Sequence, residues 1–520
     1  MNQTSNNENN CVLPTKEKIA LLELTPREVR LVVAWHTPGA SYETINEYIE
    51  PIKVYEDIER DGYIKPTQIA NTIAIVKMYR KLCDSLQVTK AIAYATSNYR
   101  DAKNHYGFLE ELEIASGFKL RLMTEDDEVT SLYTGVVNSV DLSKGVIISV
   151  EDEVTRLIWY VRKSILCSAT IAFGAETLAT LFMDGQSTTE QECETMYQFM
   201  CEKVREIQLP ADIDYDDVYF VGVGDAFDSL GKISRKGRRY PLNVAHNYVV
   251  SKKDIENVHN AIKNLELDKV SKIKGISKRS AGAVASGLAI IRAVRDVLGI
   301  ENITISDTGV HTGVLYNQCV PMTSDKPISD LLLYSLDCNC KYYGTGFNNG
   351  MHVYSLAMML FRQLRVMHKL ARQHIRALKI ACFMYDSGQR IKYQNSTKDA
   401  LYVVLNSNIK GATHRDLVLG AFVASSQNNE DFNLSEWVKY KDIVDEEDLV
   451  AVKRLAVLLK IAVGLDITGS GVVKEVICDV LGDSVILKTV SEGDATFEVR
   501  CASDACADFR KVFEKSLELI

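Results

Sequence analysis

The chain lacks several features that would place it in a specialised class of protein. Its 520 residues carry a net charge of −9 at pH 7, which argues against general binding to nucleic acid. No uninterrupted apolar run approaches the ~20 residues that a membrane-spanning helix needs. The first ten residues, MNQTSNNENN, lack the basic start and apolar middle of a secretory signal. We therefore expect a cytoplasmic protein, with no membrane partner and no general nucleic-acid partner.

The 12 cysteines have no disulfide-framework spacing either. The closest pair, Cys338 and Cys340, is C-x-C, and the sequence around it offers no further zinc ligands. Reduced core thiols are therefore expected. A composition that is 46% hydrophobic and 25% charged is typical of a globular protein, and the length predicts about three or four domains.

Strand-like and helix-like patterns alternate through two successive α/β units, which predicts sheets covered by helices and a cleft between the units. The pattern then becomes helical, and the last fifty residues predict strands at 483–490 and 495–500 and a closing helix at 507–520. The predicted ranges are a disordered lead-in (1–16), α/β domains (17–137 and 138–324), a helical domain (325–466) and a small C-terminal α+β domain (467–520).

Four short motifs follow one another in a familiar order: YATSNYRDAKN (94–104), EDDEVTSLYTGV (125–136), KGISKRSAGAVASGLAI (274–290) and ITISDTGVHTGVLY (303–316). In this order and spacing the chain resembles, over roughly residues 19–459, the exopolyphosphatase and guanosine pentaphosphate phosphohydrolase (Ppx/GppA) family. The resemblance implies the actin, Hsp70 and sugar-kinase superfold. The fold class expected is α/β: two ribonuclease-H-like (actin-like ATPase) domains flank a cleft, and an all-α HD-like domain and a small α+β segment follow.

The helical part resembles the HD-type domain of longer family members. The segment ALKIACFMYDSGQRI (377–391) stands where the metal-binding His-Asp pair is expected, but here the pair reads Tyr385 and Asp386. A phenol is a poor ligand for a divalent metal, so we expect a packing and dimerisation module rather than a metal site. His352 and Asp386 could still share a metal, although a structurally satisfied histidine is the alternative.

The family holds phosphate with backbone N–H groups of glycine-rich turns, and all three turns are altered here. Pro26 removes one N–H from the first turn, acidic residues replace the glycines of the second, and the third gains a carboxylate. One carboxylate about 4 Å from a phosphate charge costs about 4 kcal/mol at an effective dielectric of 20, which cancels millimolar binding. The alternative is an ordinary acidic hairpin turn that faces solvent. The residues on the three turns are Glu23, Thr25, Arg27 and Glu28; Ser149, Glu151, Asp152 and Glu153; and Gly224 and Asp225.

Two family positions are retained. Arg100 stands where the family places a phosphate-contacting arginine, and Glu128 where it places the glutamate that activates water as general base. Both could instead be kept as a structural ion pair across the cleft. Glu23 stands at the position of a family aspartate that holds metal or water.

Two functions follow from the resemblance. The first is a non-hydrolytic relative that acts by ligand binding, regulation or assembly. The second is a Mg²⁺-dependent hydrolase of polyphosphate or guanosine pentaphosphate, with Glu23 and either Glu151 or Asp152 holding the metal. Kinase-like transfer ranks third, because it needs phosphate turns at least as intact. In either of the first two cases a homodimer is expected.

Overall fold

The computed structural model describes residues 17–36, 42–162, 164–184, 187–210, 218–273, 276, 281–320, 327–394, 396–426 and 434–520. The predicted lead-in at 1–16 lies outside the described residues. The strands are β1 Glu17–Leu24, β2 Glu28–His36, β3 Tyr42–Pro51, β4 Lys90–Ala95, β5 Leu120–Leu122, β6 Lys144–Val150, β7 Thr155–Val161, β8 Ser164–Ile171, β9 Ser187–Thr188, β10 Tyr219–Val223, β11 Val249–Ser251, β12 Leu265–Glu266, β13 Asn302–Ile305, β14 Val473–Val480, β15 Ser484–Ser491 and β16 Ser516–Leu519.

The helices cover the sheets of the α/β part and make up most of the rest. They are α1 Val54–Asp61, α2 Pro66–Ser85, α3 His105–Ser116, α4 Glu125–Val137, α5 Ala175–Phe182, α6 Glu190–Arg205, α7 Asp225–Arg238, α8 Lys252–Ile262, α9 Leu267–Val270, α10 Val284–Leu298, α11 Val310–Cys319, α12 Leu331–Tyr343, α13 Phe347–Gln363, α14 Arg365–His368, α15 His374–Met384, α16 Ser396–Asn406, α17 His414–Ser425, α18 Leu434–Trp437, α19 Glu446–Leu465, α20 Thr496–Ser503 and α21 Cys506–Phe513. Short 3-10 helices lie at Ser97–Asp101, Ser387–Arg390 and Val438–Tyr440.

The first α/β half is a sheet of order β3-β2-β1-β4-β5. Strands β1, β2 and β3 are antiparallel neighbours, and β4 and β5 continue the sheet parallel to β1. The apolar runs of β1 and β2 are almost wholly buried, as expected for strands covered on both faces. Strand β3, which the sequence did not predict, is a polar and mostly exposed edge strand.

The second α/β half repeats this topology. Strands β6, β7 and β8 are antiparallel neighbours, β10 and β13 continue parallel to β6, and β11 adds an antiparallel edge. The two sheets face each other through a shared apolar core that contains α4 and α11. These helices touch at Gly313 in α11, where an added Cβ would lie 1.7 Å from the Ser131 carbonyl oxygen of α4.

The helical region and the C-terminal sheet β14-β15-β16 share one apolar core. The predicted fold class is confirmed: two α/β units precede a helical region and a small C-terminal sheet. The predicted strand at 495–500 is wrong. Alternation in TFEVR suggested a strand, but the Asp494 carboxylate accepts the Thr496 N–H (3.0 Å) and starts α20. The predicted closing helix also ends early, at Phe513, where Glu514 adopts φ 58°.

The domain limits remain predictions, and the proposed limit at 324 lies outside the described residues. None of the helices in the described ranges has the length and apolar character that a bilayer crossing needs.

Candidate functional site

The first turn joins β1 to β2 and offers no free N–H group for an anion. The Thr25 hydroxyl accepts the N–H groups of Arg27 (3.3 Å) and Glu28 (3.1 Å). The N–H of Thr25 itself donates to the Glu28 carbonyl (3.0 Å), and Pro26 has none. The donors that would cradle a phosphate are therefore used to close the turn.

Arg30, on β2, forms ion pairs with the carboxylates next to this turn. Its guanidinium lies 3.2 Å from Glu23 and 2.9 Å from Glu28, and it also pairs with Glu47 on β3. Tyr94 donates to the other oxygen of Glu23 at 2.5 Å. Burial opposes the charge of Arg30, but the carboxylates of Glu23 and Glu47 hold its pKa above the ordinary value. The first half thus supplies the cation with which these acids pair.

The second turn, Glu151–Val154, points its acids into the cleft instead of out to solvent. Arg27 of the first turn lies 2.8 Å from Glu153, so the two turns meet in an ion pair across the cleft. Burial and the neighbouring Asp152 carboxylate raise the pKa of Glu153 to about 8. Burial, Glu176 and Asp225 raise the pKa of Asp152 to about 7. An arriving phosphate would meet this acidic cluster.

The backbone of the second turn serves a helix rather than a ligand. The carbonyls of Glu151 and Asp152 accept the first N–H groups of α5, at Ala175 (2.8 Å), Glu176 (3.0 Å) and Thr177 (3.1 Å). The Glu151 N–H donates to the Val154 carbonyl (3.0 Å).

The third turn keeps its glycine for a reason of chain geometry. Gly224 has φ +104°, and an added Cβ would lie 2.3 Å from the Val150 carbonyl oxygen at the end of β6. Asp225 follows on the exposed start of α7. The charge of Asp225 raises the pKa of both Arg30 and Asp152. The third turn therefore lies near the other two.

Arg156, on β7, occupies the centre of the site. Its side chain is only 1% exposed and binds Glu125 (2.8 Å), Glu151 (2.7 Å) and Glu128. We call these four residues the Arg156 cluster. Glu125 and Glu128 lie one turn apart at the start of α4, which a Thr124–Asp127 capping box begins. Because α4 belongs to the first half and β7 to the second, the cluster joins the two halves.

Glu128, the predicted general base, has both oxygens engaged. One accepts the Ser97 N–H at 2.6 Å, and the other accepts from Arg156. Burial raises its pKa to about 7, against the opposing charge of Arg156. Arg100 does not form the ion pair proposed with Glu128. Its side chain is exposed and donates to the Met123 carbonyl at 3.2 Å.

Arg30 and Arg156 were not identified as site residues from the sequence. Each is a lone arginine near the start of the second strand of a half, within an otherwise apolar run. A cation in such a strand needs buried acidic partners, and that signal was available in the sequence.

The residues named for a metal do not fit Mg²⁺ in this arrangement. Oxygens of Glu23 bind Arg30 and Tyr94, and Glu151 binds Arg156 and Ser149 (3.0 Å). Asp152 has the raised pKa of a group that resists ionisation. Over the described part of the chain, no group of three or more His, Cys, Asp or Glu side chains is placed to hold a metal ion.

The HD-like position is also occupied by protein contacts. His352 lies 3.0 Å from Asp466 and 2.8 Å from the Val473 carbonyl oxygen. Tyr385 replaces the missing histidine and packs against the helical core. His352 therefore joins α13 to β14 through Nε2, and its Nδ1 faces the Asp466 carboxylate.

Comparison with known proteins agrees with this architecture. Residues 32–320 match the model of the Ppx/GppA phosphatase family, and residues 341–488 match that of Ppx/GppA phosphatase, domain III. A guanosine-5′-triphosphate,3′-diphosphate pyrophosphatase of Aeromonas hydrophila is 20% identical over 454 residues, which cover 85% of this chain and 86% of that protein. A bifunctional 3-dehydroquinate synthase/phosphatase of Fusobacterium nucleatum is 21% identical over 270 residues; they cover 50% of this chain and only 40% of that protein.

Solved structures show the same fold. The crystal structure of the Aquifex aeolicus Ppx/GppA family member has a TM-score of 0.52 and 21% identity, covering 58% of this chain and 98% of that one. An exopolyphosphatase from Cytophaga hutchinsonii has a TM-score of 0.50 and 15% identity, covering 59% and 99%. The family model spans more than half of the sequence, so the chain belongs to the Ppx/GppA phosphatase family.

Proposed function

We propose that this chain is a non-hydrolytic or strongly impaired member of the family, which acts by ligand binding, regulation or assembly. The observation that carries the proposal is the Arg156 cluster. Its guanidinium takes the Glu128 oxygen that would otherwise accept a proton from water. The first turn supports the proposal, because the Thr25 hydroxyl accepts the N–H groups of Arg27 and Glu28. In the second turn, Glu151, Asp152 and Glu153 stand where glycines of the family turn would let phosphate approach the backbone.

A second candidate is an active phosphoanhydride hydrolase, which one observation favours. A general base works best when its pKa is near the working pH, and the pKa of Glu128 is about 7. Water would attack the terminal phosphorus, Glu128 would take the water proton, and the bridging P–O bond would break. Arg100 would hold the terminal phosphate. This function requires Arg156 to release Glu128 first, and Mg²⁺ remains a prediction for it.

Phosphate release separates the two candidates. Purified protein would be incubated with polyphosphate and with guanosine pentaphosphate, each with Mg²⁺, beside an exopolyphosphatase of known activity. We expect no release above background from the wild type. Glu128→Gln is the test variant, and Glu125→Gln is its matched control, because it also loses an Arg156 contact but keeps the base. Turnover that Glu128→Gln abolishes and Glu125→Gln retains would reject the non-hydrolytic proposal.

The remaining expectations are part of the same proposal. Polyphosphate or guanosine pentaphosphate would be bound rather than cut, the helical region would make a homodimer, and the protein would act in the cytoplasm. Equilibrium sedimentation checks the dimer: a mass of one chain at all concentrations rejects it.

A further inference from the structure

A cavity of about 540 Å³ lies beside the cleft, where three parts of the chain meet. Strands β2 and β3 form one wall, the start of α11 forms the floor, and α12 with residues 406–410 forms the opposite wall. The volume lies within the range of small-molecule sites, about 300–1,000 Å³. No residue of the Arg156 cluster lines it, and Glu47, which pairs with Arg30, is shared between the cavity and the site described above.

Most charged side chains of the cavity wall already have partners. Glu47 pairs with Arg30, Lys341 with Asp337 on its own helix (2.8 Å), and Asp307 with His246 (2.8 Å). The exposed Glu43 interacts with the Tyr342 hydroxyl.

Lys410 differs from these groups. Within the described ranges, no carboxylate lies at ion-pair distance (4.0 Å) of its ammonium, which instead lies 5.5 Å from the centre of the Tyr42 ring. Burial lowers the pKa of Lys410, against the opposing influence of Asp307. A half-buried ammonium with no carboxylate within ion-pair distance gains from an arriving anion.

Aromatic rings make up much of the remaining wall, and hydrogen bonds fix two of them. Tyr42 donates to the Thr312 carbonyl at 3.2 Å, and the Tyr343 hydroxyl lies 2.9 Å from that of Ser407. Fixed rings present flat faces to a ligand ring at little entropic cost. The aromatic residues that line the cavity are Trp35, Tyr42, Tyr334, Tyr342 and Tyr343.

We infer that this cavity binds a small aromatic anion, with its acidic group on the Lys410 ammonium and its ring against the tyrosine wall. A nucleoside phosphate and an aromatic carboxylate share this chemistry. The inference does not depend on whether the chain hydrolyses phosphoanhydrides, because no residue of the Arg156 cluster takes part.

Calorimetric titration of the full chain tests the inference with adenosine 5′-monophosphate, 4-hydroxyphenylacetate, neutral adenosine and inorganic phosphate. We expect binding of at least one aromatic anion, and at least tenfold weaker binding of adenosine and of phosphate alone. Binding of the nucleotide only, or of the carboxylate only, supports the site and identifies the source of the acid. No binding of either at millimolar concentration overturns it, as does equal binding of adenosine and its monophosphate.

Variants locate the ligand. Lys410→Met should weaken binding at least tenfold and Lys410→Arg should restore most of it, whereas the control Lys439→Met, at an exposed lysine outside the cavity, should change it less than twofold. Trp35 lines the cavity, while Trp159 and Trp437 are buried elsewhere, so the ligand should also change tryptophan fluorescence, and Trp35→Phe should remove that change. Equal losses in the two methionine variants, or a fluorescence change that survives Trp35→Phe, would place the ligand elsewhere.

Discussion

The two α/β halves have the same strand topology, and each carries one arginine near the start of its second strand, but the two arginines do different work. Arg30 binds Glu23, Glu28 and Glu47, which all belong to its own half. Arg156 reaches across the cleft to Glu125 and Glu128. Arg30 therefore pairs acids within one half, whereas Arg156 links the two halves. Arg30 and Arg156 occupy equivalent positions in the two sheets. The difference between their contacts therefore comes from the positions of the acidic residues around them.

Among the variants considered, Arg156→Met should cause the largest loss of stability. The change leaves Glu128 buried without its cation, and removal of one partner of a buried pair costs about 3–5 kcal/mol. We expect a loss of that size in urea unfolding and faster amide hydrogen exchange in α4 and β7. The double variant Arg156→Met/Glu128→Gln should recover part of the loss. A loss below about 1 kcal/mol would contradict the role of the cluster.

Arg30→Met should have a smaller effect, about 2 kcal/mol, because the Tyr94 hydroxyl still binds Glu23 and Glu47 is partly exposed. Hydrogen exchange should rise in β1 and β2 but not in β7. If hydrogen exchange in β7 rises as it does in Arg156→Met, then Arg30 also stabilises the second half, and the proposed difference between the two arginines is wrong.

The acids of the second turn predict a pH dependence. Their folded-state pKa values, about 7 for Asp152 and about 8 for Glu153, lie above the unfolded values near 4, so the folded state holds more protons between these limits. Stability should therefore be greatest below about pH 4–5, as far as these two groups are concerned, and fall as pH rises to about 8. The summed shifts set an upper limit of about 6 kcal/mol between pH 5 and 8.5, at about 1.4 kcal/mol per pKa unit. Because both residues are partly exposed and Asp152 itself raises the pKa of Glu153, we expect about a third of this limit, on the order of 2 kcal/mol.

Urea unfolding at the two pH values measures this slope. Asp152→Asn/Glu153→Gln removes both titrations and should flatten it, whereas Glu176→Gln removes only one of the charges that raise the pKa of Asp152 and should reduce the slope in part. An unchanged slope in the double variant would show that other groups produce it.

The smallest expected effect belongs to the ion pair between the turns. Arg27 and Glu153 are both largely shielded from solvent, and a double-mutant cycle of Arg27→Met and Glu153→Gln should give a coupling energy of about 1 kcal/mol. A coupling near zero would mean that the turns touch without stabilising the closed cleft. The parallel cycle with Arg27 and Glu151 is the control, because Glu151 pairs with Arg156.

Apolar runs predicted much of the fold. Strands β1, β2 and β4 lie on the strand-like runs IALLEL (19–24), VRLVVAWH (29–36) and KAIAYAT (90–96). Strand β3 was missed because an exposed edge strand needs no apolar run, and α20 was misread because its alternation favoured a strand over the helix that Asp494 starts. Both errors fall where a neighbouring element or a single hydrogen bond decides the structure.

For the site, the sequence by itself determined which positions carry acids, where Pro26 removes an N–H group, and that glycine cradles are absent from the first two turns. It also determined that Glu128 and Arg100 stand at family positions. Only the tertiary structure decided that the acids face inward and which cation each one binds. The reason is physical: a carboxylate is neutralised by whatever guanidinium lies within about 3–4 Å, and Glu128 and Arg156 become neighbours only when two separate sheets close on α4.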